Sequence, residues 1–309
     1  MTPFMPTVSI VIPVYNAEAT LPELCAGISA EMQELAGDFE IILVEDCSRD
    51  GSWKVIESLA TNDVRIRGIA LGRNFGQHNA LLCGIRAARF EIVVTLDDDL
   101  QHPPSQIRLL MEELAAGHDV VYGVPKVEQH GFLRNVASRM TKLALQGTIG
   151  VEAARNVSAF RAFRTHLRDG FEDFQSPSVS IDVLLTWASS RFSSVKVEHQ
   201  PRAQGASNYT VRMLISHAFN LVTGFSSLPL KLASVIGFVI TLFGLVILTY
   251  VLGRYFIQGV SVPGFAFLAS IITIFSGTQM FVMGIFGEYL ARIHFRTLNR
   301  PPYVVREET

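Results

Sequence analysis

The chain has 309 residues and a formal net charge of -2, from 26 Lys and Arg against 28 Asp and Glu. That balance excludes a general electrostatic attraction to nucleic acid or anionic lipid. Hydrophobic residues make up 49% of the chain, more than a soluble domain needs. Cys25, Cys47 and Cys83 show no CxxC or Cys/His spacing, so they read as reduced thiols of a cytosolic domain.

The N-terminus, MTPFMPTVSIV, has no basic n-region and runs straight into a strand pattern, so no cleavable signal peptide is expected. VSIVIPV (8–14) is an apolar run of strand length, followed by a helical stretch from Leu21 to Leu35. Next come EIILVED (40–46), a helix from Ser52 to Ala60, and RIRGIAL (65–71). A helix from Gln77 to Ala88, EIVVTLD (91–97), a helix from Pro104 to Ala115 and DVVYG (119–123) complete the alternation. Apolar strands separated by amphipathic helices describe a parallel sheet covered on both faces.

Further along, FLRNVASRMTKLAL (132–145) is amphipathic and carries Arg134 and Arg139. These form either a solvated helix face or a phosphate site. Asp182, in VSIDVLL, either orients a ligand hydroxyl or caps a helix. VRMLISHAFNLVTGFSSLPLK (211–231) reads as an interfacial helix. Leu232 to Gly253 contains no charged residue and reaches roughly 33 Å as a helix, enough to cross a bilayer core. A second apolar run goes from Phe265 to Gly287. Lys231 precedes the first span, Arg292, Arg296, Arg300 and Arg306 follow the second, and the connecting loop carries only Arg254. The positive-inside rule puts both termini in the cytoplasm. The expected layout is a cytoplasmic domain (1–210), an interfacial helix (211–231), two transmembrane helices (232–290) and a cytoplasmic tail (291–309).

Ligands of such sheets bind at the carboxyl ends of the strands, and those ends are polar here. The first ends in Pro13-Val14-Tyr15-Asn16 and the second in Glu45-Asp46 with Cys47-Ser48-Arg49-Asp50-Gly51-Ser52 after it. The third runs into Gly72-Arg73-Asn74-Phe75-Gly76-Gln77-His78, and the fourth ends in Asp97-Asp98-Asp99-Leu100-Gln101. Neither GxGxxG after the first strand nor GxxxxGK[ST] occurs, so phosphate is not held by a dinucleotide fingerprint or a P-loop. Adjacent carboxylates repel and need a positive partner. A divalent cation, Mg²⁺ or Mn²⁺, uses one or two carboxylates together with substrate phosphates. The acidic strand end therefore reads as a metal site that grips a nucleotide diphosphate.

VSIVIPVYN, VEDCSRDGS, LGRNFGQHNA and TLDDDLQHPP, in that order, resemble the family-2 glycosyltransferases. The nearest group is the membrane-anchored polyprenyl-phosphate glycosyltransferases, those of the dolichyl-phosphate mannose synthase, GtrB and ArnC types. The resemblance implies an α/β, Rossmann-like nucleotide-diphospho-sugar transferase (GT-A) domain with a C-terminal two-helix transmembrane anchor. It implies inverting transfer from a nucleotide sugar, by choice a UDP-sugar, to undecaprenyl phosphate. Pro13, Tyr15 and Asn16 would line the base and ribose pocket, with Asp46 on uracil or ribose and Asp98 beside the nucleotide. Asp97, Asp99 and Gln101 would hold the metal. Arg202, Gly205, Ser207 and Tyr209 resemble a loop that closes on the donor phosphates, with Asn208 where the group has lysine. Ala17 stands where glutamate is common, and Glu18 either substitutes by a small shift or faces solvent. Arg73, Arg134, Arg139 and Arg161 are the candidates for the acceptor phosphate. The resemblance also implies a homotetramer and a flippase partner. Two other readings remain: a glycan-extending synthase, which the absence of QxxRW opposes, and a nucleotide-sugar-binding scaffold without activity.

Overall fold

The computed structural model of the protein describes residues 6–126, 157–176, 179–200, 228–258, 264–298 and 300–309. The chain divides into two compact units, one holding the described residues up to 200 together with 300–309, the other the two long helices between.

The first unit alternates as the hydrophobic pattern dictates. β1 (Thr7–Val14) leads to α1 (Leu21–Leu35), β2 (Asp38–Glu45), α2 (Ser52–Asn62) and β3 (Ile66–Leu71). α3 (Gln77–Ala87), β4 (Ile92–Thr95) and α4 (Ile107–Ala115) follow, then β5 (Val120–Pro125). β6 (Arg161–Arg164), α5 (Ile181–Ala188) and β7 (Phe192–Val197) come next. The sheet has eight strands in the order β7-β5-β6-β4-β1-β2-β3-β8, where β8 is Val305–Glu308. β1, β2, β3 and β4 pair in parallel, whereas β6 is antiparallel to β4 and β5, and β8 is antiparallel to β3. The sheet is therefore mixed.

Helices cover both faces, so both sides of the central strands are apolar. Ile10, Ile12, Ile41 and Leu43 pack on α1 and α4 residues such as Leu24, Ile28 and Leu110. Val11, Ile42 and Val44 pack on the other side with Leu82 and Ile85 of α3 and Leu184 of α5. α3 lies so close to the sheet that a Cβ at Gly84 would stand 2.3 Å from Val11.

In the second unit, α6 spans Leu228–Gln258 and α7 spans Phe265–Thr297. Among the described residues one segment, Leu232–Arg254, is long and apolar enough to cross a membrane, with mean hydropathy 2.6 and none of its most apolar window buried. One candidate span thus falls at the first of the two expected positions. Residues 300–309, within the expected tail, return to the sheet of the first unit.

Candidate active site

The carboxyl ends of β1, β2, β3 and β4 meet in a set of loops that hold one another by hydrogen bonds. Asn16, Cys47 and Leu100, at 55°, 56° and 60°, have left-handed backbone. They sit on the loops after β1, β2 and β4. Such conformations cost roughly 1 kcal/mol or more for a residue with a Cβ and gather at functional sites.

The β1 and β2 loops interlock. Asn16 N–H donates to Ser48 Oγ (3.0 Å), and Asn16 Oδ1 accepts from Arg49 N–H (2.8 Å). Ala17 N–H donates to Ser52 Oγ (2.9 Å), and Glu18 N–H donates to Asp50 Oδ2 (3.2 Å). Glu18 Oε2 accepts from Gly51 N–H (2.9 Å). Glu18 is exposed, and through these bonds it links the two loops. A Cβ at Gly51 would stand 2.8 Å from that carboxyl group, so a side chain there would push the Glu18 carboxylate aside.

Asp46, expected on uracil or ribose, is 3% exposed. Its two oxygens accept from Phe75 N–H (2.6 Å) and Gly76 N–H (2.7 Å). Burial pushes its carboxyl above the ordinary value, and those two donors pull it back. Asp46 thus braces the loop between β3 and α3.

The acidic turn after β4 is half-buried. Asp97 Oδ1 accepts from Gln77 Nε2 (2.6 Å), Asp98 Oδ2 accepts from Tyr15 N–H (3.0 Å), and Asp99 Oδ1 accepts from Gln101 N–H (3.1 Å). Thr20 Oγ1 donates to Asp98 O (2.7 Å). Asp98 is thereby turned towards the β1 loop and exposed Tyr15. Pro13 is part of β1 and pairs in register with Val44. Among the described residues no three carboxylate, imidazole or thiol groups form a metal cage by themselves. Asp97, Asp99 and Gln101 nevertheless offer oxygen donors on one short turn, the kind a hard cation shares with a diphosphate. Gln101 O also accepts from Gln200 N–H (2.8 Å), tying this turn to the segment that precedes Arg202.

The expected acceptor arginines separate. Arg73 is exposed, with its Cζ 4.4 Å from the centre of the Phe75 ring. Arg161 is 2% exposed and pairs with Asp182, which also accepts from Tyr122 Oη (3.1 Å). The Arg161 guanidinium is committed inside the core, which removes it from the set of phosphate ligands. Asp182 is neither a cap nor open to a sugar hydroxyl at its Oδ1, because that atom takes both partners. Arg134, Arg139, Arg202, Ser207, Tyr209 and the interfacial stretch up to residue 227 lie outside the described residues. Sequence reasoning assigned no role to Gln77, although its place directly after a strand end was the available signal.

Residues 9–171 match the domain described as glycosyl transferase family 2. The chain belongs to that family. This glycosyltransferase is similar over nearly its whole length to proteins named undecaprenyl-phosphate 4-deoxy-4-formamido-L-arabinose transferase. One from Aeromonas hydrophila is 34% identical over 307 residues, covering 97% of this chain and 93% of the relative. One from Pseudomonas aeruginosa is 36% identical over 301 residues, covering 96% and 89%. Among solved structures, glucosyl-3-phosphoglycerate synthase from Mycobacterium tuberculosis, in complex with Mn²⁺, UDP and glucosyl-3-phosphoglycerate, matches 71% of this glycosyltransferase and 78% of that chain. Its TM-score is 0.53 at 19% identity. Mannosyl-3-phosphoglycerate synthase from Rubrobacter xylanophilus matches 69% and 72%, with TM-score 0.51 at 19% identity. These likenesses show the GT-A fold.

Proposed function

We propose that this glycosyltransferase moves a sugar from a uridine diphosphate donor to undecaprenyl phosphate at a membrane face. The observation that carries the reading is the acidic turn Asp97-Asp98-Asp99 with Gln101, at the carboxyl end of β4 and linked to the β1 loop through Tyr15 and Asp98. The names of the relatives supply the acceptor class and make the formamido-arabinose nucleotide the first donor to try.

Exposed Tyr15 offers an aromatic face for the base, and the Asn16–Ser48–Arg49 hydrogen bonds fix the loop beneath the ribose. Asp97, Asp99 and Gln101 would hold Mg²⁺ or Mn²⁺, which when bound supplies charge neutralisation for the departing diphosphate. Arg202, with Ser207 and Tyr209, would add positive charge and hydrogen bonds on the donor phosphates. An acceptor phosphate is already ionised near neutral pH, so the chain needs no strong general base. Its work is placement and electrostatic stabilisation. Arg73 would receive the acceptor phosphate as a charge-assisted fork, and attack from the far side of the anomeric carbon inverts its configuration.

The decisive assay incubates membranes with radiolabelled UDP-sugars and undecaprenyl phosphate. Label should enter the organic phase, stop on chelation, and fall at least ~100-fold in Asp99→Asn, the scale on which removing an electrostatic stabiliser acts. Full transfer by Asp99→Asn or in excess chelator would remove the basis of the proposal.

The membrane arrangement belongs to the same reading. The chain leaves the first unit, enters α6 with its apolar Leu232–Arg254 segment, and after α7 pairs β8 with β3 of the unit it left. A chain that crosses along α6 must therefore cross back, and α7, with 33 residues, has a length of about 50 Å available for it. Both termini then face the cytoplasm. A reporter fused after Thr309 should be active only in the cytoplasm; activity on the outer face contradicts an even number of crossings.

A further inference from the structure

Residues 300–309 form a strap over one edge of the catalytic sheet. β8 lies antiparallel to β3, with Ile69 opposite Glu308, Ala70 opposite Glu307 and Leu71 opposite Val305. At its far end Thr309 N–H donates to Gly68 O (3.1 Å), and Thr309 Oγ1 accepts from Gly68 N–H (2.8 Å). At its near end Gly72 N–H donates to Val304 O (2.8 Å). Asn79, buried in the first turn of α3, donates from Nδ2 to Pro302 O. Between these two bonds Tyr303 contacts Cys83 and Arg86 of α3, and burial raises its phenol above the ordinary value.

All four side chains of β8 are exposed, so the strap's apolar anchorage comes from the residues just before that strand, buried Pro302 and Tyr303, which packs against the core beside α3. What the strap does is grip the entry and the exit of a single loop. Gly72 is the entry and Asn79 follows the exit. Between them Phe75 and Gly76 are tied to Asp46, and Arg73 lies over Phe75. Gly76, at φ 94°, has the backbone freedom that a loop without the strap would exploit. Each residue left free would have to be ordered again whenever a ligand binds, and that lost entropy weakens binding.

We propose that the strap, through Pro302, Tyr303 and Val304, is a positioning element for the lipid-phosphate acceptor: it holds the 72–76 loop so that Arg73 meets the phosphate already ordered. This rests on the reading above that Arg73 receives that phosphate. Among the described residues no hydrogen bond joins the strap to the loops after β1 and β2, which carry their own mutual bonds; the strap-held loop meets the donor side only through Asp46 and Gln77, so donor affinity should depend on the strap far less than acceptor affinity does.

The experiment uses the full-length enzyme in detergent with undecaprenyl phosphate, a turned-over UDP-sugar, and UDP binding measured by calorimetry. Deleting residues 300–309 should raise the KM for undecaprenyl phosphate about tenfold, equivalent to ~1.4 kcal/mol, with the Kd for UDP within about twofold of wild type. Asn79→Ala, which keeps the whole chain and removes one bond, should raise the same KM about threefold, a hydrogen bond's modest net worth. Arg73→Ala should raise it at least as much as the deletion, and the deletion should add nothing further in that background, the signature of two changes acting through one group. The free peptide RPPYVVREET should lower the KM of the deleted enzyme. Four results would overturn the proposal. They are an unchanged acceptor KM in both the deletion and Asn79→Ala, a UDP Kd that weakens in parallel, full additivity with Arg73→Ala, and no response to the peptide. If Arg73→Ala leaves the acceptor KM unchanged, the acceptor assignment itself falls. If Arg73→Ala acts and the strap variants do not, the strap alone is refuted.

Discussion

Asp46→Asn separates two roles for one carboxylate. In the structure both oxygens are occupied, by Phe75 N–H at 2.6 Å and Gly76 N–H at 2.7 Å, and the residue is 3% exposed. Asparagine keeps the shape and one acceptor, but its NH₂ must face one of the two N–H donors. One buried backbone N–H is then orphaned, at ~1–3 kcal/mol, and the remaining bond loses its charge assistance. Together these come to about 3 kcal/mol, or a fall in Tm of roughly 6–12 °C for a domain of this size. Thermal unfolding in detergent, followed by tryptophan fluorescence at neutral pH, reads that fall. A variant that melts within about 1 °C of wild type, against the several degrees expected, while losing UDP affinity would show that Asp46 faces the nucleotide and would refute its bracing role.

Arg161→Met should be among the most damaging core changes, because it leaves Asp182 buried without its countercharge at a cost of ~3–5 kcal/mol. Adding Asp182→Leu should restore most of the lost Tm; a single variant that keeps its Tm and loses only acceptor affinity would return Arg161 to the phosphate site. Asp119 gives a pH signature. Burial alone would raise its carboxyl, but hydrogen bonds from Arg191 and Ser189 outweigh burial and hold it below its ordinary 3.8. A depressed folded value means stability present above the unfolded value and lost as pH falls through the folded one. Asp119→Asn should therefore melt lower than wild type at neutral pH, with the gap closing below about pH 4. Unfolding curves that stay parallel down to acid pH would contradict this.

The fold was legible where side-chain pattern alone decides it. Strands such as VSIVIPV and EIILVED are apolar on both faces because helices cover both, and the helices between them carry one apolar stripe. The strand ends announced the site for a related reason: a run of Asp97, Asp98 and Asp99 directly after IVVTL has no place in a core and must meet solvent or a ligand. The charge-free Leu232–Gly253 stretch needed nothing but length and composition to be read as a span.

What stayed hidden depended on partners distant in sequence. β8 reads VREE, with no apolar period, and pairs with a strand more than two hundred residues away through backbone N–H and C=O groups that every sequence has. β6 inserts antiparallel between β4 and β5, a choice made by strand pairing and not by its own four residues. Arg161 and Asp46 looked like ligand-binding groups because charge usually seeks water or substrate. Their fates were set by Asp182 and by two backbone N–H groups that only the folded chain brings within reach. Composition fixes which residues must be buried or charged; which donor meets which acceptor is settled by the packing of elements, as the partners of Asp46 and Arg161 show.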